Sequence, residues 1–336
     1  MELCGFDHVT KLYGIPSLAL KVGHSLKITA NILKGNALMA DPRDVELEQR
    51  CSAFVELKDM KWEEDISTHA HRTLSEKKRN NPKLLPVTED IVALLQYVKN
   101  ESQKSEVALE KYESKGAWKQ LNETCLTHLI VFNRKRQGEV SKMKVVDYKK
   151  VKRAEGTDDA LFKKALSPLE QKLLVVLWRV EIVGKMEKTV PMLLTNSMKD
   201  RLDKLMKYRK AAGVHNDNPY FFANESLSYR RGTDCLRVHG EACGAKNPQL
   251  LRSTKLRKQL AVVSQVMSLE NNELDLLATF MGHDIKTHRE YYRLPSETLQ
   301  VARISKVLLA MENGDVDAID GKGLADIQIE ENEGEI

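Results

Sequence analysis

Only one stretch of this chain alternates as a pair of strands would. Val175–Val183 is rich in β-branched residues, and Arg179 and Glu181 interrupt it in alternation. Gly184–Lys188 then reads as a turn and Thr189–Leu194 as the returning strand, with Pro191 suited only to an edge. Elsewhere the apolar residues recur at helical spacing. The expected fold is mainly α with a small β hairpin or sheet, an α+β class.

Periodicity predicts helices over Ile15–Lys34, Pro42–Lys58 and Trp62–Leu74, so the first 75 residues read as an all-helical unit. A polar, basic connector, SEKKRNNPKLL, follows and ends in Asn81-Pro82, which breaks helix and marks a domain boundary. A further helix is expected from Thr88, with Ile91, Leu94, Leu95 and Val98 on one face, and another over Trp118–Asn133, built on Leu121, Cys125, Leu129 and Val131. Helical patterns return at Ser197–Ala212, Ser253–Ser268, Glu273–Met281 and His288–Met311, with Gly282 where a helix C′ glycine belongs. The expected organisation is a helical unit over 1–79, a second domain over 80–311 and an acidic tail over 312–336 that reads as disordered.

Charge narrows the partners. Residues 311–336 hold nine carboxylates and one lysine, a net of −8, which leaves the preceding 310 residues at +13 against +5 for the whole chain. A body with that surplus attracts polyanions, nucleic acid foremost. The longest run free of Asp, Glu, Lys and Arg is Gln259–Leu269, 11 residues, against about 20 for a membrane-spanning helix. No membrane partner is expected, and Met1-Glu2 opens no secretory leader. Five scattered cysteines fit free thiols in a reducing compartment.

Breaking a phosphodiester without a metal needs a nucleophile, cationic forks for the non-bridging oxygens and a proton donor for the leaving oxygen. The chain offers these groups in order. Arg136 and Glu139 stand in NRKRQGEV, Lys185 in VGKMEK, Arg257 in STKLRKQLA, His283 in FMGHD and Tyr292 nine residues later in THREYYRLP. Singly, each has an ordinary reading: a solvated basic run, a turn lysine, one phosphate contact among several, a helix cap, a core tyrosine. Together, the order Arg-x-x-Glu, hairpin Lys, Leu-Arg, Gly-His and Tyr resembles the tyrosine recombinase (phage integrase) family. CGAKNPQLLRSTKLRK with FMGHDIKTHREYYRLP resembles, more narrowly, recombinase-like proteins of mobile elements in animal genomes.

The resemblance implies roles. Arg136 and Arg257 would clamp the scissile phosphate of double-stranded DNA, and Glu139 would orient Arg136. Lys185 would protonate the leaving oxygen, with Lys188 a weaker candidate. His283 would bond the phosphate or assist proton transfer. Tyr292, or Tyr291 beside it, would attack phosphorus and form a 3′-phosphotyrosine. Lys78, Arg79, Lys149, Lys150, Arg252, Lys255 and Lys258 would add phosphate contacts. The helical unit would be a core-binding domain lying against the duplex opposite the catalytic domain, as a clamp. No metal or cofactor is required; a dimer or tetramer on DNA and a nuclear location are implied.

One position departs from the pattern. Where the family usually has His-x-x-Arg, this chain has Thr254 before Arg257, and threonine cannot exchange a proton near neutral pH. The rival expectation is therefore a catalytically impaired, domesticated recombinase fold kept for DNA binding, and a third is a helical interaction scaffold. Cys235, His239 and Cys243 recur every four residues and read as a buried helix stripe before a zinc site. The apolar SKVLLAM segment serves either a neighbouring protomer or the chain's own core.

Overall fold

The computed structural model describes residues 2–79, 84–153, 166–266 and 271–282. They form two compact units, divided between Leu84 and Leu85.

The first unit opens with a two-residue antiparallel ladder, β1 (Phe6–Asp7) against β2 (Leu12–Tyr13). This corrects the all-helical expectation. So short a ladder leaves no alternating pattern, and it is held from outside: the Tyr13 amide donates to Thr73 Oγ1 at 3.1 Å, and Lys77 Nζ to the Gly14 carbonyl at 2.8 Å. Helices α1 (Pro16–Met39), α2 (Val45–Trp62) and α3 (Thr68–Arg79) follow. Pro16 starts α1 with its φ preset, and Asp44 caps α2 by accepting the Leu47 amide. The α1–α2 approach depends on Gly23, where any Cβ would stand 2.4 Å from the Trp62 indole nitrogen.

The second unit holds α4 (Thr88–Tyr112), α5 (Lys115–Asn133), α6 (Gln137–Ser141), α7 (Val145–Tyr148), β3 (Lys152–Arg153), α8 (Pro168–Val176), β4 (Trp178–Val183), β5 (Thr189–Leu194), α9 (Asn196–Lys207), α10 (Gly232–Ala242), α11 (Ser253–Val266) and α12 (Asn271–Phe280). The three strands form one antiparallel sheet in the order β3-β4-β5, so the unit is mainly helical with a small sheet. Pro191 sits on β5, an edge, as its missing N–H requires. The strand begins at Trp178, later than the β-branched run suggests. Ser167 and Glu170 form a reciprocal capping box and Pro168 takes the first helical position, which carries Val175 and Val176 into α8. Strand β3 is too short to announce itself in sequence.

Helix α5 runs through the core and is buried nearly all round, from Leu121 to Val131. Two of its polar side chains bond partners within the core. Asn122 donates to the Ala223 carbonyl at 2.9 Å, and Thr127 Oγ1 bonds His239 Nδ1 at 2.8 Å. Cys235 and His239 lie buried on α10, with Cys243 half-buried beyond its end, and no three His, Cys, Asp or Glu side chains gather as a metal site among the described residues. At the end of α5, Asn133 reads the outer edge of β5. It accepts the Leu193 amide at 2.7 Å and donates to the Leu193 carbonyl at 2.9 Å. No described helix is long and apolar enough to cross a membrane.

Asn133→Leu would leave both Leu193 backbone groups unpaired. We expect it to lower the unfolding free energy by about 2–3 kcal/mol in a urea titration, whereas Gln120→Leu, at an exposed Glu101 pair, changes it by under about 0.5 kcal/mol.

Candidate phosphate-binding site

The chain leaves α5 by a left-handed turn. Arg134 adopts φ +51° and its amide closes on the Ile130 carbonyl, a conformation more usual for glycine or asparagine. Lys135 therefore turns inward, and Arg136 continues in extended conformation as the N-cap of α6.

Arg136 Nη1 donates to Glu139 Oε1 at 2.8 Å, and it reaches the Gly282 carbonyl at 3.4 Å. The Arg136 side chain keeps 31% of its surface exposed, while that of Glu139 keeps 7%. Glu139 Oε1 also accepts the Lys185 amide at 3.2 Å, which pins the β4–β5 turn above α6. Glu139 Oε2 is buried without a hydrogen-bond partner among the described residues. Arg257, in the second turn of α11 and 4% exposed, donates through Nη1 to the Arg134 carbonyl at 3.2 Å and the Met281 carbonyl at 3.0 Å.

Arg136, Glu139, Lys185 and Arg257 thus meet around the last residues of α12. Their parts differ. Lys185 contributes its backbone amide to the cluster, and its side chain is exposed on a turn where Met186 and Glu187 take positive φ. Thr254 is exposed in the first turn of α11, and Arg252, Lys255 and Lys258 are half-buried beside it. Lys149 and Lys150 are exposed after α7, and Lys188 on the hairpin turn. Lys78 and Arg79 close α3, in the other unit. His283, Tyr291 and Tyr292 lie outside the described residues, as do the SKVLLAM segment and the acidic tail. Gly282, at φ +66°, ends α12 as its composition predicts.

Lys135 is the residue that sequence reasoning missed. It has no exposed surface; its ammonium bonds the Phe280 carbonyl and lies 3.7 Å from the centroid of the Phe280 ring. Burial, then the positive charge of Arg257, pushes its pKa down to about 7; Glu139 pulls it up by less, and Arg136 adds the smallest push down. Within Arg134-Lys135-Arg136 a solvated basic run is the ordinary reading, and only the left-handed residue decides which side chain goes inside.

Chemically, the cluster gathers positive charge. Two guanidinium forks and a buried ammonium surround one carboxylate, and the more exposed fork has room to meet a ligand. A separate cleft against α10, lined by Glu123, Tyr229, Arg230 and Asp234, holds none of these groups, and its carboxylates offset its cations.

No family model and no curated protein matches the chain. Among solved structures it is similar to the XerH site-specific recombinase bound to palindromic difH substrate in a post-cleavage complex, at 15% identity and a TM-score of 0.41, over 70% of this chain and 54% of that one. It is also similar to XerH bound to difH in a pre-cleavage complex, at 18% identity and a TM-score of 0.39, over 62% of this chain and 50% of that one. The chain spans about half the length of the structures it matches.

The lowered Lys135 pKa makes stability depend on pH. Between about 7 and the ordinary lysine value the unfolded chain holds the proton and the folded one releases it, so stability rises with pH across that window. The difference in urea unfolding free energy between the wild type and Lys135→Met should shift towards the wild type by up to about 1.4 kcal/mol per pH unit above pH 7.

Proposed function

We propose that this chain breaks and rejoins double-stranded DNA by the chemistry of a tyrosine recombinase. One observation carries the reading: Arg136 and Arg257, remote in sequence, donate to adjacent carbonyls, those of Gly282 and Met281, and Glu139 joins Arg136 to the Lys185 turn. Two guanidinium groups beside a hairpin lysine are the groups that phosphoryl transfer without a metal needs, which supports the reading. The next residue in the chain after Gly282 is His283, and Tyr292 follows within the same segment.

In the proposed reaction the Tyr292 phenol oxygen attacks phosphorus, with His283 assisting removal of its proton. Arg136 and Arg257 donate to the non-bridging oxygens as charge builds on them. The bond from phosphorus to the 5′ oxygen breaks, and Lys185 supplies the proton that the 5′ oxygen takes. The product is a 3′-phosphotyrosine and a free 5′ hydroxyl. Attack by a 5′ hydroxyl on the phosphotyrosine reverses these steps, returns the proton to Lys185 and frees the tyrosine. Glu139 holds Arg136 in place and takes no part in bond making.

Affinity comes mostly from phosphate contacts, with Lys149, Lys150, Arg252, Lys255 and Lys258 as contributors from this unit and Lys78 and Arg79 from the other. Exchange between two duplexes needs more than one active site, so the reading includes a dimer or tetramer on DNA. It also includes work where genomic DNA is kept, the nucleus by the animal mobile-element resemblance. A second reading, a binding module without chemistry, is favoured by Thr254, which offers no titratable group next to Arg257.

A nicked suicide duplex separates the two. The enzyme should give a protein–DNA adduct on a denaturing gel. Tyr292→Phe should abolish it, and Arg136→Ala should slow it by about 10²–10³-fold. Salt-sensitive binding with no adduct would establish the binding module instead.

A further inference from the structure

The end of α12 presents three successive carbonyls, those of Phe280, Met281 and Gly282. The last carbonyls of a helix lack partners within it and carry the negative end of its dipole. Here each is met by a cation, two from the turn after α5 and one from α11. Lys135 bonds the Phe280 carbonyl, Arg257 the Met281 carbonyl at 3.0 Å, and Arg136 faces the Gly282 carbonyl at 3.4 Å. Two of these cations are the arginines assigned to the phosphate. Lys135 has no part in the reaction as drawn above.

Packing does not call for a charge at Lys135. The side chain is wholly buried against Phe280, where a Met of similar length would fill the space without desolvating an ammonium. The groups that face it are Arg257 from α11, Arg136 and Glu139 from the turn and α6, and the ring and carbonyl of Phe280 from α12. What the ammonium adds is a charge-assisted tie between the segment that carries Arg136 and the helix end from which the chain proceeds to His283.

We propose that Lys135 is a positioning residue for DNA cleavage: by holding the Phe280 carbonyl it fixes the end of α12 against Arg136 and Arg257. The proposal rests on the recombinase reading. The tie is strongest while the amine is protonated. Its ordinary charge is already marginal near neutral pH, so the tie weakens as pH rises. A phosphate beside Arg136 works in the opposite sense and draws the proton back.

The experiment measures the single-turnover rate of adduct formation on the nicked suicide duplex from pH 6 to 9, with the affinity for an intact duplex and the thermal midpoint taken alongside. Lys135→Met should form adduct about 10–100-fold more slowly than wild type at pH 6.5. The ratio should narrow to about threefold at pH 9, with affinity within about threefold and an undiminished thermal midpoint. Lys135→Arg, charged over the whole range, should restore adduct formation relative to Lys135→Met and show no such narrowing. A Lys135→Met rate within twofold of wild type at every pH, or a deficit that does not change with pH, overturns the assignment while leaving the recombinase reading intact. A wild-type chain that forms no adduct overturns both.

Discussion

Seven consecutive residues organise the candidate site, and a left-handed turn among them makes that possible. Asn133 takes the edge of β5, the Arg134 carbonyl takes Arg257 from α11, Lys135 takes the end of α12, Arg136 faces Gly282, and Glu139 takes the Lys185 turn. A continuing helix would have placed these side chains at 100° intervals around one axis. The change of direction at Arg134 fans them out towards four different elements. The cost of positive φ at a non-glycine residue, of order 1 kcal/mol, is set against six hydrogen bonds.

The electrostatics follow from that geometry. Like charges collected in a poorly solvated place repel one another, and the protein answers with dipoles rather than with acids. Among the described residues Glu139 is the carboxylate of the cluster, and its Oε1 bonds Arg136 and the hairpin amide. The remaining compensation comes from helix-end carbonyls, which stabilise positive charge without cancelling it. A surplus of positive potential is therefore built in, and an anion arriving from solvent would meet Arg136 first, because Arg257 is almost closed off.

Much of this architecture was legible before any coordinates. Helical spacing gives α4 and α5 with their buried faces, alternation gives β4 and β5, and Pro191 alone marks β5 as an edge. What the sequence obscured has identifiable physical causes. A two-residue ladder such as β1–β2 has no period to detect. A capping box can draw β-branched residues into a helix, as Ser167 does for Val175 and Val176. The inward turn of Lys135 hangs on a left-handed arginine, and neither glycine nor asparagine is there to advertise it. The pairing of Arg136 with Arg257 was foreseeable only from the order of motifs, since composition makes every basic run look like a solvated face.

The arrangement also bears on Thr254. A histidine at that position would supply a second donor that could change its charge near neutrality, and threonine cannot. Thr254 is exposed on the first turn of α11, outside the layer where Arg257 is engaged with two carbonyls. The group in this cluster whose proton is labile near neutral pH is instead Lys135, set behind the arginines rather than beside the solvent. A buried amine there cannot hand a proton to a leaving group, but its charge adds directly to the field at Arg136. An imidazole at the rim and an ammonium behind it are therefore not equivalent. The first would meet a ligand directly, and the second acts through the helix end that it holds.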